Sequence, residues 1–179
     1  SMPLFKLLIE RSILPRTAEI LAEGRLYPLA STVPPVTGPA WATFATGVNP
    51  DKHGIFDFAL PGRSLSELVP ISSKSLKVKT FYEYLTEQQK NAVLINLPLS
   101  WPPLVDAPTL TSFLTRSQES VFPPGLVEEL PVLERYRFAP RVKRPSRLSP
   151  IGPYVRDIRE LEEAKFQSAQ ELMKQRPWD

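Results

Sequence analysis

The sequence predicts an α/β fold, and three features point to it. A capped helix at Thr80 runs through a short turn into the continuous apolar run Ala92–Leu97, the order helix, turn, covered strand. The last stretch, about Tyr154 to Gln175, carries an amphipathic stripe at Ile158, Leu161, Ala164, Phe166, Ala169, Leu172 and Met173, as a helix lying on a core does. The chain also holds 21 prolines in 179 residues. Each removes a backbone donor and biases its predecessor away from helix, so ordered loops are expected between short elements.

From the start of the chain, Leu4–Arg11 is an amphipathic helix candidate. Thr17 is placed to cap a second helix over Ala18–Glu23, stopped by Gly24. Tyr27–Val33 reads as a strand ended by Pro34-Pro35. Pro39 suits a first helical position and Gly47 a C-terminal cap, which gives a compact apolar helix up to Thr46. The breaker-rich Asn49–Gly54 is a tight turn, Ile55–Phe58 a short extended piece, and Pro61–Lys79 a loop. The helix after Thr80 reaches about Gln89 and carries Phe81, Tyr84 and Leu85 on one face. Leu99–Pro108 is a proline-rich loop, Thr109–Leu114 a further strand, and Leu126–Leu130 a short helix opened by Pro123-Pro124-Gly125. No repeat or low-complexity tract appears, and the whole of 1–179 reads as a single domain.

Composition narrows the function classes. Hydrophobic residues make up 42% and charged residues 23%, the balance of a globular chain. No apolar run approaches the roughly 18–20 residues of a bilayer span. The first residues lack the pattern of a signal peptide, and Ser1 before Met2 reads as a tag remnant. There are no cysteines, which excludes disulfides, thiolate zinc sites and a cysteine nucleophile and suits a reducing, cytoplasmic setting. The single histidine, His53, cannot furnish a His-rich metal centre by itself. The net charge of +3 is too small to mark a dedicated nucleic-acid binder. Neither the Gly-Lys-Ser/Thr ending of a phosphate loop nor a Gly-x-Ser-x-Gly elbow is present.

The informative stretch is Ser31–Phe58, STVPPVTGPAWATFATGVNPDKHGIFDF. It places the Thr37 hydroxyl after a strand and just before a helix. The first N–H groups of a helix lack internal partners and carry the positive end of its dipole. A phosphate held by the backbone N–H groups of Gly38 and Ala40, with an alkoxide forming at Thr37, would be stabilised there. The same residues also allow a plainer role, in which Thr37 only caps the helix.

On these residues the chain resembles the type I phosphodiesterases and nucleotide pyrophosphatases of the alkaline phosphatase superfamily. Thr37, Pro39, Thr46-Gly47, Pro50 and His53-Gly54 fall in the order of the family's nucleophile motif, in wording similar to a prokaryotic subgroup. Similarity continues more loosely through Ser72–Leu85, Ala92–Pro103, Val121–Leu130 and the closing helix. The resemblance implies a partial alkaline-phosphatase-like α/β/α sandwich with Pro-rich loops, and a phosphate ester as substrate. Thr37 would be both nucleophile and metal ligand, and Thr46, Gly47, His53 and Gly54 structural parts of the motif. In longer relatives two divalent metals, usually zinc, complete the site.

This sequence also departs from the family. Family members open with a strand ending in a metal-binding Asp, and their remaining ligands follow the long closing helix. The resemblance therefore implies an N-terminal portion of the catalytic domain, truncated at both ends and without its first strand. Such a piece is expected to bind no metal and to be inactive alone. Where nucleotide-cleaving relatives carry an Asn this chain has Ala40, which argues against nucleotide substrates. Asp51 and Asp57 are candidate carboxylates, although turn capping accounts for Asp51 equally well.

The alternative from another class is a non-catalytic relative that serves as a binding module. The stretch 131–153, with Arg135, Arg137, Arg141, Lys143, Arg144 and Arg147 around Tyr136 and Phe138, reads as a solvated basic loop or as a cap over the site. Nucleic acid and membrane are not expected partners. A homodimer that covers exposed sheet edge is.

Overall fold

The computed structural model describes residues 2–62, 64, 67–115, 120–147 and 149–179. Ser1, together with Arg63, Leu65 and Ser66 of the expected loop and Leu148 of the basic stretch, lies outside the described residues. The sequence reads as one domain, whereas the contacts gather into two compact units, Ser1–Ser31 and Thr32–Asp179.

The first unit is a helical hairpin, α1 (Met2–Glu10) and α2 (Pro15–Glu23). The second helix starts earlier than the sequence suggests. Pro15 takes its first position behind Leu14, with no side-chain cap, because a proline there forfeits only a donor that the helix could not use. Thr17 is thus inside the helix rather than its cap. Gly24 still ends it, donating its N–H to the Ile20 carbonyl at 2.9 Å. The expected strand Tyr27–Val33 does not form. A strand exists only where a neighbour takes up its N–H and C=O groups, and this segment has no ladder partner among the described residues.

The second unit combines short helices with two small sheets, an α/β arrangement. Helix α3 (Thr37–Thr46) leads into the single turn α4 (Pro50–His53). A hairpin of β1 (Ala59–Pro61) and β2 (Leu68–Pro70) follows, antiparallel with Leu60 opposite Val69. It falls in the region expected to be loop, since three-residue strands ending in proline leave no alternating pattern to detect. Helix α5 (Phe81–Glu87) is capped by Thr80, whose side chain exchanges hydrogen bonds with Glu83 in a capping box. It turns Tyr82 inward and leaves Phe81, Tyr84 and Leu85 exposed, the reverse of the face read from the sequence. A helix of seven residues has too few turns for its apolar spacing to define a face.

The second sheet has the order β3 (Leu94–Ile95), β4 (Thr109–Leu110), β5 (Val121–Phe122). β3 and β4 run parallel and β4 and β5 antiparallel. The strands expected at Ala92–Leu97 and Thr109–Leu114 are present but shorter than those ranges, and β5 is an addition. Helix α6 (Leu126–Glu129), a 3-10 turn (Pro131–Arg135) and the long α7 (Gly152–Gln175) complete the unit. Leu110, Val121, Leu126, Leu133, Tyr136 and Leu172 form one core cluster, with the Tyr136 hydroxyl donating to the Thr111 carbonyl at 2.6 Å. A second cluster of Ala42, Ile55, Ile71 and Leu99 packs under α3. Among the described residues no helix is long and apolar enough to cross a membrane.

Candidate functional site

The motif Thr37–Asp57 closes on itself. Helix α3 runs outward and ends at Gly47, which sits in the left-handed region at φ 70° and donates to the Thr43 carbonyl. Thr46 folds its hydroxyl onto the Ala42 carbonyl at 2.7 Å. Helix α4 reverses the chain and ends at Gly54, also left-handed at φ 80°. The segment after it returns along α3, so that a Cβ placed on Gly38 would lie 3.1 Å from the Asp57 carbonyl oxygen and 3.0 Å from Ile71 Cδ1. Glycine at 38 is what lets the two backbones meet at this end of the helix.

His53 holds the reversal from inside. It is fully buried, its Nδ1 accepts the Ile55 N–H at 3.1 Å, and its Nε2 lies 3.0 Å from Thr43 Oγ1. An accepting Nδ1 carries no proton, so the neutral ring has its proton on Nε2 and donates it to Thr43. Burial depresses the imidazole pKa below its ordinary value, against a weaker opposing pull from Asp51. With both nitrogens engaged internally, the ring has no lone pair to offer a metal.

Thr37 sits at the opposite end of α3 from Thr46 and Gly47, about 13 Å along the axis at 1.5 Å per residue. It is the first helical residue, behind Val36, and makes no side-chain capping bond. The helix therefore starts at Thr37 itself, two residues before the Pro39 start read from the sequence. Thr37 is exposed, while Gly38 and Pro39 are buried. The early start changes which amides are available. Ala40 donates to the Val36 carbonyl at 3.1 Å and Pro39 has no N–H, so Ala40 is not a free donor. The Thr37 and Gly38 N–H groups meet no acceptor among the described residues. An uncapped helix N-terminus with an exposed hydroxyl and two open amides can accommodate an oxyanion and orient a hydroxyl toward it.

The candidate carboxylates do not join this site as a metal centre. Asp51 is exposed on α4, and Asp57 accepts the Phe58 N–H at 2.7 Å. Among the described residues no group of three or more His, Asp or Glu side chains is arranged to hold a metal ion. The described residues therefore do not fit the pair of divalent metals that the resemblance implies. What sequence reasoning missed was the Asp57 carbonyl against Gly38, and Gly38 itself was its only signal.

The basic stretch divides. Arg135, Arg141, Lys143, Arg144 and Arg147 are exposed. Arg137 instead reaches the buried Asp157 of α7, with Nη2 to Oδ1 at 2.7 Å and Nη2 to the Asp157 carbonyl at 3.1 Å. Asp157 Oδ2 also accepts the Val142 N–H at 2.9 Å. Those two donors, Val142 first, hold its carboxyl below the ordinary carboxylate range. Arg137 is thus a strut that fastens the stretch to α7, and is not available as a solvated cation.

The class of molecule defined so far is an α/β domain that presents a threonine hydroxyl and open amides at a helix N-terminus. The family model for type I phosphodiesterase / nucleotide pyrophosphatase matches residues 5–133, which includes all of this motif. The chain belongs to that family. No curated protein and no solved structure matches it.

Proposed function

We propose that this domain acts in phosphoric ester hydrolysis with Thr37 as the nucleophile. The observation that carries the reading is the exposed Thr37 hydroxyl beside the open Thr37 and Gly38 amides, in a chain of the phosphodiesterase family. The ester's phosphoryl oxygens would rest on those two amides. Thr37 Oγ would attack phosphorus, forming one P–O bond as the bond to the departing alcohol breaks and the hydroxyl proton ends on that alcohol; water would then cleave the phosphothreonine and restore Thr37. No metal donor set is present among the described residues, so we place the activating metals elsewhere and expect no turnover from this chain alone. Zinc is the metal that the family resemblance suggests for a completed site. Lack of cysteine suits a cytoplasmic setting, the motif wording suits the prokaryotic subgroup, and the remaining exposed basic residues of 131–153 suit a cap over an anionic substrate.

The reading is tested in two ways. Hydrolysis of an aryl phosphodiester with added zinc or manganese is measured for this chain beside Thr37→Ala. Turnover that survives in the mutant removes Thr37 as nucleophile. Metal-dependent turnover lost in the mutant keeps Thr37 and overturns the expected inactivity. Titration with inorganic phosphate, followed by amide NMR, should shift Thr37 and Gly38 before other residues, and silence at both positions overturns the cradle.

A second reading rests on a specific observation. The one histidine is consumed by internal hydrogen bonds and no metal donor cluster is present among the described residues, which favours a non-catalytic relative that binds a protein or anion. Tight stoichiometric zinc binding by this chain would count against it.

A further inference from the structure

Thr37 shares a face of α3 with two aromatic side chains. Trp41 follows it by four residues and Phe44 by three more, the spacing that stacks side chains along one side of a helix. Side chains on a helix lean toward its N-terminus, so a large residue at 41 covers the turn that begins with Thr37. The rings continue from there. Trp41 and Phe44 meet edge to face with centroids 5.4 Å apart, and Phe44 meets Phe81 of α5 in the same way at 6.0 Å.

This strip is not what α3 contributes to the core. The core receives Ala42 and Ala45, both fully buried, whereas Phe44 is 60% exposed and Trp41 half-buried. No acidic side chain stands in the first turn of the helix to repel an anion. One face of α3 therefore offers an anion two open amides and a hydroxyl at its start, and offers a ring an aromatic surface one turn further on.

We propose that Trp41, backed by Phe44, is the subsite for an aryl group of the phosphoric ester, an inference that rests on the reading of Thr37 as nucleophile. With the phosphoryl oxygens on the Thr37 and Gly38 amides, the aryl ring would lie back along α3 against the indole. Thr37 and Trp41 are about 6 Å apart along the axis at 1.5 Å per residue. A ring joined directly to the ester oxygen spans that distance, and a ring held off by a sugar overshoots it. Ring faces and edges attract beyond what buried apolar area supplies, so the occupant is aromatic and not merely apolar.

Because no turnover is expected from this chain alone, the test reads binding. Dimethyl, dicyclohexyl and diphenyl phosphate carry the same single charge and differ in what the ester oxygens bear. Each is titrated while NMR follows the Thr37 and Gly38 amides and the Trp41 indole N–H. Diphenyl phosphate should bind about tenfold more tightly than dimethyl phosphate, and more tightly than dicyclohexyl phosphate. Trp41→Ala should abolish the preference without changing the Kd for dimethyl phosphate, and Trp41→Phe should keep most of it. If Trp41→Ala does not fold, Phe44→Ala, at an exposed position, should reduce the preference instead. Dimethyl phosphate that shifts Thr37 and Gly38 with no advantage for the diphenyl ester overturns this proposal and leaves the role of Thr37 standing. No shift at either amide with any of the three overturns both. A preference that survives loss of the indole, or dicyclohexyl phosphate binding as tightly as diphenyl phosphate, also overturns the aryl subsite.

Discussion

Thr43 Oγ1 and His53 Nε2, 3.0 Å apart, join α3 to the turn that follows it. Through this bond a polar pair inside the apolar core fixes the direction in which the chain returns to Gly38. Because Ile55 occupies the other ring nitrogen, His53 can neither leave nor acquire a proton without breaking a buried hydrogen bond.

His53→Ala should therefore lower unfolding stability by about 2–4 kcal/mol, through a cavity plus two unmade hydrogen bonds. Thr43→Val, which keeps the shape but leaves the Nε2 proton without an acceptor, should cost about 1–3 kcal/mol. Urea unfolding midpoints measure both. If Thr43→Val is neutral, the bond across the two elements contributes nothing net.

The same burial sets a pH dependence. The folded imidazole has a pKa below its ordinary 6.5, so the unfolded chain binds the proton more readily. The associated stability is complete above 6.5 and declines as pH falls below it toward the folded value. His53→Gln should flatten this part of the stability profile. Asp157 behaves similarly at lower pH. Its contribution is present above its ordinary 3.8 and is lost as pH falls through the depressed folded value.

How much of this was legible depends on whether the signal is local. Gly47 as a C-cap and Thr80 as the cap of α5 are written within a few residues of where they act, and both are observed. The α7 helix is observed too, but of its expected stripe only Leu161, Ala164 and Leu172 are buried while Phe166 and Met173 are exposed. The family motif was legible for the same reason, as one ungapped run. What could not be read depends on partners distant in sequence. Tyr27–Val33 has strand composition but no ladder partner among the described residues. Tyr82, not its neighbours, is chosen by the core of Ala45 and Leu94. Arg137 leaves the basic loop for an aspartate 20 residues on.

Gly38 and Gly47 should respond differently to alanine. At Gly38 the new methyl meets the Asp57 carbonyl oxygen at 3.1 Å, and a backbone atom cannot swing aside. Gly38→Ala should cost about 1–3 kcal/mol by overpacking and displace the 55–58 segment. At Gly47 nothing lies within 4 Å, so the only cost is the left-handed backbone, about 1–2 kcal/mol. Amide chemical shifts at Asp57 and Phe58 separate the cases, moving for Gly38→Ala and remaining still for Gly47→Ala.

The Arg137–Asp157 pair should matter more than an exposed one. Both partners are largely shielded and Asp157 also holds Val142, so Asp157→Ala strands a shielded guanidinium and an amide together. Arg16–Glu19 is an exposed pair of similar length, 2.7 Å, of the kind that contributes little. Thermal unfolding should show a clear loss for Asp157→Ala and none resolvable for Glu19→Ala. Equal losses would mean that Arg137 is as solvated as its neighbours in sequence.

Two threonines at helix starts separate a structural role from a chemical one. Thr80 precedes α5, is fully buried, and accepts the Glu83 N–H while Glu83 reaches back to it. Thr80→Ala should cost about 1 kcal/mol, as lost N-caps do. Thr37 is the first residue inside α3, exposed and without a capping bond, so Thr37→Ala should change stability by less than about 0.5 kcal/mol. A hydroxyl that stability does not need is free to be kept for chemistry, whereas a loss at Thr37 comparable to that at Thr80 would return it to the role of a cap. Paired urea unfolding of the two mutants decides between these, and it does so without requiring that the chain turn over a substrate.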